Sequence, residues 1–188
     1  MGDSKAIPPA PDDITNDLVK LFNSSMLSDI QFDVNGVKFL AHKAILCVRS
    51  EYFRAMIHFE GNALQAQSPI KLKDVEPGVF PVVLHYVYTN RIRTQCSPHV
   101  LPVWRLADRF SMDGLKALSV LQLSTSLPID NVIDIYLKVI HALPVSDNMK
   151  DVCELFMQNH MVEVVRHRTF MSLNKQLVAE LTREMVSK

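Results

Sequence analysis

Apolar and polar residues alternate on both sides of Asn35-Gly36, over residues 30–34 and 37–41. Asn-Gly suits a two-residue type I′ turn, because both central positions of that turn require φ > 0. This turn and the period of two together predict a β-hairpin. The short loop also fixes the register. It places Val34 opposite Val37, Phe32 opposite Phe39 and Ile30 opposite Ala41 on a core-facing side, with Asp33 opposite Lys38 on the solvent side.

Helical spacing replaces this alternation after the hairpin. Two short helices separated at Arg49-Ser50-Glu51 are predicted by the apolar residues Ile45, Leu46, Phe53, Met56 and Ile57. Residues 14–24 predict an amphipathic helix in front of the hairpin, with possible N-caps at its start. Residues 76–89 predict a helix whose regular part begins at Val79 or Phe80, because prolines are tolerated only in a first turn. Ile70 and Leu72 alternate with lysines, as in an edge strand.

The second half of the chain contains only helical patterns. A helix that reaches Ala107 precedes one over residues 115–123, and Ser126-Leu127-Pro128 is interpreted as a domain boundary. Three further helices are predicted over residues 130–142, 146–160 and 174–186, and short loops favour antiparallel neighbours. We therefore divide the chain into a tail or linker (1–13), a mixed α+β domain (14–125) and an all-helical segment (126–188).

The composition excludes several classes of protein. Apolar residues make up 48% of the 188 positions, and 20 basic and 20 acidic residues cancel. We therefore expect a proper core and no nucleic-acid or membrane partner. No apolar run reaches the ~18–20 residues of a membrane span. Cys47, Cys96 and Cys153 are far apart, as expected of reduced thiols in a cytoplasmic or nuclear protein.

Candidate catalytic and metal-binding patterns are weak. The five glycines are scattered, so the sequence contains neither a P-loop nor a dinucleotide-binding turn. Cys153, His160 and His167 recur every seven residues, but on one helix they would lie about 10 Å apart at 1.5 Å per residue. We interpret them as a buried thiol and two surface imidazoles. The sequence predicts no enzyme, no metal and no cofactor.

Several ordered blocks resemble the signature of a BTB/POZ domain. The first are Ser28-Asp29-Ile30, Phe39, Ala41-His42-Lys43-Ala44-Ile45-Leu46, Arg49-Ser50, Tyr52-Phe53 and Ala55-Met56. The later ones are Asp74-Val75-Glu76-Pro77, Phe80, Tyr86-Val87-Tyr88-Thr89 and Ala107-Asp108-Arg109-Phe110. The resemblance implies an α+β fold in which helices flank a small β-sheet.

The same resemblance implies homodimerisation through the first helix and the helix after the hairpin. The corresponding candidate interface residues are Leu18, Leu21, Phe22, Ala41 and Ile45. The alternative is that the first helix packs on its own domain. Asp29 and Arg49 match positions of a charged pocket near the dimer groove, and the alternative for them is an ion pair beneath the hairpin.

Related BTB proteins recruit cullin-3 through a hydrophobic residue followed, one position later, by Glu. Here His58 lies two places before Glu60, so that motif is absent as written. Candidate cullin-binding residues are Met56, Ile57, Phe59, Glu60, Leu64 and Phe110.

The C-terminal helices resemble the partial BACK segment of the speckle-type POZ protein group, including Leu177-Val178-Ala179-Glu180. The resemblance implies a non-enzymatic interaction module that acts as the substrate adaptor of a cullin-3 ubiquitin ligase, with substrates bound by another domain or chain. One alternative is an oligomerisation scaffold without cullin binding. Another is a corepressor-binding BTB domain of a transcription factor.

Overall fold

The structure is a computed structural model that describes residues 13–60, 69–92, 99–141 and 147–186. These residues form two compact units: unit 1 ends at Arg91 and unit 2 begins at Ile92. This division follows compactness, whereas the predicted boundary at residues 125–126 follows from the segment Ser126-Leu127-Pro128 and the helical patterns after it. The domain division therefore stays a prediction.

The predicted hairpin is present in unit 1 with the predicted register. Strand β1 (Ile30–Val34) pairs antiparallel with β2 (Val37–Ala41), and all five predicted residue pairs face each other. Asn35 and Gly36 have φ values of 51° and 86°, as a type I′ turn requires. The Gly36 N–H also donates to Asp33 Oδ1 at 2.7 Å. Local turn chemistry and side-chain alternation thus determine this element together.

The predicted edge strand is also present, although it contains only two residues. Strand β3 (Ile70–Lys71) pairs with β1 in parallel, which gives the sheet order β2-β1-β3. The Leu72 N–H extends this pairing by donating to the Asp33 carbonyl at 3.0 Å. Ile70 and Leu72 are buried, whereas Lys71 and Lys73 are exposed.

Helices make up most of the rest of the described part of unit 1. They are α1 (Ile14–Leu18), which continues as a 3₁₀ turn (Val19–Leu21), α2 (Lys43–Arg49), α3 (Glu51–Glu60) and α4 (Phe80–Thr89). Helix α4 begins at Phe80, one of the two predicted positions, with Pro81 in its first turn. Phe32 from the hairpin packs against Phe53 of α3 and Phe80 of α4, with ring centroids 5.6 and 5.3 Å apart.

The first helix is shorter than predicted. The helical geometry ends at Leu21 and not at residue 24, because Asn23 adopts a left-handed φ of 49°. In that conformation the Asn23 side chain accepts a hydrogen bond from the Leu40 N–H at 2.9 Å, which ties the end of the helix to the edge of β2. At the other end, Asp13 is the N-cap and accepts from the Thr15 N–H at 3.0 Å.

Unit 2 is helical throughout its described residues. Its helices are α5 (Val100–Arg109), α6 (Asp113–Ser126), α7 (Ile129–Ile140), α8 (Asp147–Asn159), α9 (Met161–Arg166), α10 (Arg168–Met171) and α11 (Lys175–Val186). The break between α6 and α7 coincides with the predicted boundary at residues 126–128. Apolar residues of α5 to α11 share one buried cluster, which includes Trp104, Tyr136 and Cys153. The lone tryptophan is therefore a core residue.

Candidate interaction surfaces

An open groove of about 400 Å³ lies in unit 1 between α1, α2 and the C-terminal end of α4. We call it the α1–α2 groove. Its apolar lining comes mainly from Leu18 of α1 and from Ala44, Ile45 and Val48 of α2. The three α2 residues share one helix face, because positions three and four apart are neighbours on a helix. Val48 is 83% exposed and is one of the apolar residues that line this groove.

The five predicted dimer residues lie in different surroundings. Leu18 and Ile45 both line the α1–α2 groove, and Leu21 is half-buried in the 3₁₀ turn. Phe22 packs on its own domain, with its ring edge-on to His85 and Tyr88 of α4 at 5.5 and 6.3 Å. Ala41 is completely buried under the sheet. The prediction for Ala41 is corrected, because its side chain has no surface to offer to a second copy.

Helix α1 contacts α4 of its own domain, and its packing against a second copy stays a prediction. None of its residues is buried, and Ile14 is 70% exposed. The 3₁₀ turn and Phe22 also attach this segment to α4. Sequence reasoning missed Ile14 and Val48 as surface residues. The signal was available for Val48, which lies three residues after Ile45 on the same face of α2.

Asp29 and Arg49 lie at opposite ends of α2 and have different partners. Asp29 Oδ1 accepts from the Lys43 N–H at 2.8 Å, which satisfies a free donor at the start of the helix. Arg49 donates from Nε to the Val87 carbonyl at 3.2 Å and from Nη2 to Asn90 Oδ1 at 2.7 Å. The ion-pair alternative is therefore wrong for this conformation. Arg49 instead places a cation at the C-terminal end of α4, where the helix dipole is negative.

A buried histidine fixes the start of α2 on α4. The His42 N–H donates to the Tyr88 hydroxyl at 3.1 Å, and His42 Nδ1 lies 2.7 Å from the same oxygen. Nε2 is 2.8 Å from the Met26 carbonyl, which can only accept. Nε2 therefore carries the proton, and Tyr88 donates to Nδ1. Burial raises the pKa of Tyr88 to about 12, so the hydroxyl stays protonated near neutral pH.

The candidate cullin-binding residues differ widely in exposure. Met56 and Ile57 are half-buried on α3, and Phe59 is 87% exposed one residue before that helix ends. Glu60 is the last residue of α3, and Leu64 lies outside the described residues. Phe110 is completely buried after α5 in unit 2. The prediction for Phe110 is corrected, because the apolar core encloses the whole ring.

The possible metal ligands do not share one helix. Helix α8 ends at Asn159, so Cys153 precedes a break, and His160 and His167 follow it. Cys153 is buried, whereas His160 and His167 are half-buried and lie 3.0 Å from carboxylates of Glu163 and Asp130. Within the four described ranges, no three His, Cys, Asp or Glu side chains are arranged to hold a metal ion. No helix in these ranges is long and apolar enough to span a membrane.

Residues 18–127 match the family model of the BTB/POZ domain. The match contains the hairpin and helices α2 to α6, but only the last residue of α1. The chain belongs to the BTB/POZ family. Its α+β fold with a helical C-terminal extension agrees with the prediction from sequence. BTB/POZ domains are protein-interaction domains that commonly form homodimers, and this chain is a protein–protein interaction module.

Known BTB/POZ proteins resemble the chain over different lengths. Mouse TD and POZ domain-containing protein 5 is 34% identical over 119 residues, which are 63% of this chain and 35% of that protein. Drosophila melanogaster BTB/POZ domain-containing protein 9 is 28% identical over 174 residues, which are 92% of this chain and 24% of that protein. The Arabidopsis thaliana BTB/POZ and MATH domain-containing protein 6 is 38% identical over 79 residues, covering 42% of this chain and 19% of that protein.

The solved BTB domain of zebrafish PATZ1 aligns with a TM-score of 0.48 and 21% identity, covering 60% of this chain and 86% of the zebrafish domain. This BTB/POZ chain thus spans about a third or less of the length of the curated relatives given above.

Proposed function

We propose that this BTB/POZ chain is the dimeric adaptor of a cullin-3 ubiquitin ligase. In this proposal the α1–α2 groove forms the dimer interface, and the exposed end of α3 contacts the cullin. Substrate is bound by another domain or chain, and the helices after residue 126 act as a BACK-like segment. The proposal includes a cytoplasmic or nuclear location.

The observation that carries the proposal is the exposed apolar surface around the α1–α2 groove. Val48 lines the groove together with Leu18 and Ile45, and it exposes most of its area to water. Ile14, on the same helix as Leu18, is 70% exposed. Exposed apolar clusters rimmed by polar groups mark interaction sites. A second copy related by a two-fold axis would present the same surface. The interface would then bury each of these apolar residues from both copies.

The end of α3 supports the cullin part of the proposal. Phe59 projects into solvent at the start of the connection in which cullin-binding relatives carry their hydrophobic-x-Glu motif. A solvent-exposed aromatic ring is a typical binding anchor, because it buries a large area with few rotatable bonds. Two such sites on one dimer would raise the effective concentration of a ligase around a substrate.

The dimer is tested with Val48→Asp. Placing a carboxylate in the apolar interface twice per dimer should weaken self-association at least about tenfold. Light scattering across a concentration series should then report the 21.3 kDa mass of one chain, where the parent reports twice that mass. Val162→Asp is the matched control, because Val162 is 63% exposed on α9 and outside the groove. A parent chain that stays single at high concentration would contradict the dimer.

Cullin binding is tested with Phe59→Ala in a calorimetric titration of the cullin-3 N-terminal region. The loss of a central aromatic contact should weaken binding about tenfold or more without changing the dimer. Leu27→Ala is the control, because Leu27 is also 87% exposed in unit 1 but lies before the hairpin.

The second candidate function is an oligomerisation scaffold that does not bind cullin. The absence of the hydrophobic-x-Glu motif favours this candidate, since His58 occupies the hydrophobic position. It would be supported by a parent chain that forms a dimer but shows no heat of binding at tens of micromolar cullin-3. A dimer without cullin binding would contradict only the cullin part of the proposal, whereas a monomeric parent chain would contradict the dimer interface itself.

A further inference from the structure

The hairpin turn of unit 1 contains the only asparagine in the sequence that is followed by glycine. In such a pair the backbone nitrogen of the glycine can attack the side-chain amide carbon of the asparagine, because glycine has no side chain to hinder the approach. Asn35 and Gly36 are both exposed, so water reaches the atoms that would react. The turn therefore combines a sequence that favours asparagine deamidation with access to solvent.

The reaction consumes water and releases ammonia. The Gly36 nitrogen loses its proton and forms a bond to Asn35 Cγ, while the bond from Cγ to Nδ2 breaks and the leaving amine takes up a proton. Water then adds to one of the two carbonyl carbons of the resulting cyclic imide and breaks the bond between that carbon and the ring nitrogen. One direction of opening gives aspartate. The other gives isoaspartate, in which the main chain runs through the former side chain.

In the folded hairpin both reacting groups are hydrogen-bonded elsewhere. The Gly36 N–H, whose proton must leave, donates to Asp33 Oδ1 at 2.7 Å. Asn35 Nδ2, the leaving group, donates at 3.1 Å to the carbonyl of Val75, which lies 40 residues later in the connection between β3 and α4. A carbonyl oxygen can only accept, so this contact assigns the amide nitrogen to Val75. The attack therefore requires the turn to open locally and break both bonds.

The contact with Val75 also connects the turn to the segment before α4. Val75 is 3% exposed, so this contact joins the exposed turn to a buried residue. Deamidation to aspartate replaces a donor by an acceptor opposite the Val75 carbonyl, and two acceptors do not form a hydrogen bond. Isoaspartate lengthens the main chain within a two-residue loop whose length fixes the strand register. Either product therefore loses this connection.

We propose that Asn35-Gly36 is a deamidation site that folding keeps closed. While the hairpin is folded, Asp33 holds the attacking N–H, Val75 holds the leaving amine, and the turn stays intact. When the turn opens, the reaction proceeds, and its product cannot restore the contact with Val75. The extent of deamidation at Asn35 therefore records how often this part of unit 1 has opened.

Peptide mapping by mass spectrometry tests the proposal on the full chain incubated in mildly alkaline buffer. Asp33→Ala removes the acceptor for the Gly36 N–H and should accelerate deamidation at Asn35 several-fold. Asp33→Asn keeps an acceptor oxygen on a side chain of the same length and should stay close to the parent. Asp17→Ala is the matched control, because it removes a carboxylate from an exposed position of α1 in the same unit.

The parent chain supplies a test that does not depend on how the variants fold. Deamidation at Asn35 should be about tenfold faster or more in urea, where the chain is unfolded, than in the folded chain. Equal rates in the two states would overturn the proposal. It is also overturned if Asp33→Ala reacts no faster than Asp17→Ala. A slower reaction in Asp33→Ala would overturn it too, because Asp33 would then act as a base that activates the Gly36 nitrogen.

Asn35→Asp tests the consequence for the fold, because it represents the aspartate product and Asp-Gly suits the same turn. Hydrogen exchange is followed at the amides of Leu72 and Val79, which lie on either side of Val75 and are hydrogen-bonded in the folded chain. Their exchange should be several-fold faster than in the parent, with α3 unchanged. Asn16→Asp makes the same change at an exposed position of α1. Equal exchange in the two variants would overturn the connecting role of Val75.

Discussion

His42 and Tyr88 connect three segments of unit 1 through one set of hydrogen bonds. The imidazole reaches the Met26 carbonyl before the hairpin, its own backbone starts α2, and Tyr88 belongs to α4. Both groups are buried, so any polar atom left unpaired there would have no access to water. The geometry of the α1–α2 groove, which Tyr88 helps to line, therefore depends on a hydroxyl that is hydrogen-bonded inside unit 1.

Tyr88→Phe tests this dependence. The substitution keeps the ring but leaves the His42 N–H and Nδ1 without their shared partner, which should lower the free energy of unfolding by about 1–3 kcal/mol. Urea unfolding monitored in unit 1 measures the effect. Tyr52→Phe is the control, because it removes a hydroxyl from a half-buried ring of α3. Equal losses in the two variants would show that the His42 contacts have no special role.

At the scale of elements, the hairpin is the piece that local chemistry determines most completely. Its turn requires left-handed conformations at two successive residues, and Asn35-Gly36 adopts both. Gly78 is a useful contrast, because added side-chain atoms there would meet nothing within 4 Å and its φ lies outside the left-handed region.

Gly36→Ala should therefore destabilise unit 1, whereas Gly78→Ala should be nearly neutral. At Gly36 the added Cβ also has free space, so the loss comes from the backbone conformation and should be about 1–2 kcal/mol. Thermal unfolding of the two variants measures the difference. If both variants lower stability alike, the left-handed turn is not what constrains the hairpin.

Features that depend on residues adjacent in the chain could be predicted from the sequence. The hairpin register and the start of α4 follow from neighbours in the chain, and both were predicted correctly. Other features depend on residues that are distant in sequence. They are the parallel pairing of β3 with β1, the separate partners of Asp29 and Arg49, and the contact between Asn23 and β2. Apolar character alone also could not distinguish exposed Phe59 from buried Phe110, because exposure depends on what packs against each residue.

At the scale of the whole molecule, each unit buries a group that ionises only at high pH. Burial raises the pKa of Tyr88 in unit 1 to about 12 and that of the Cys153 thiol in unit 2 to about 12. Both groups are therefore protonated in the folded chain over a range in which the unfolded chain releases the proton. The unfolded state then binds fewer protons than the folded state, so stability falls as the pH rises.

The pH dependence that Cys153 causes begins at a lower pH than that of Tyr88, because the ordinary pKa of a thiol is lower. Its ordinary pKa is 9.0, so its contribution to stability is complete below pH 9 and is lost as the pH rises towards 12. The slope should approach about 1.4 kcal/mol per pH unit within that window. Unfolding of unit 2 measured between pH 8 and pH 11 should show this decline. Cys153→Ala should lower stability near pH 8 but flatten the slope above pH 9, because alanine has no proton to release. Cys47→Ala changes a half-buried thiol of unit 1 and should leave the slope of unit 2 unchanged. If the stability of Cys153→Ala falls with pH as steeply as that of the parent, other groups cause the loss of stability at alkaline pH. Buried Tyr136 would then be the next residue to test.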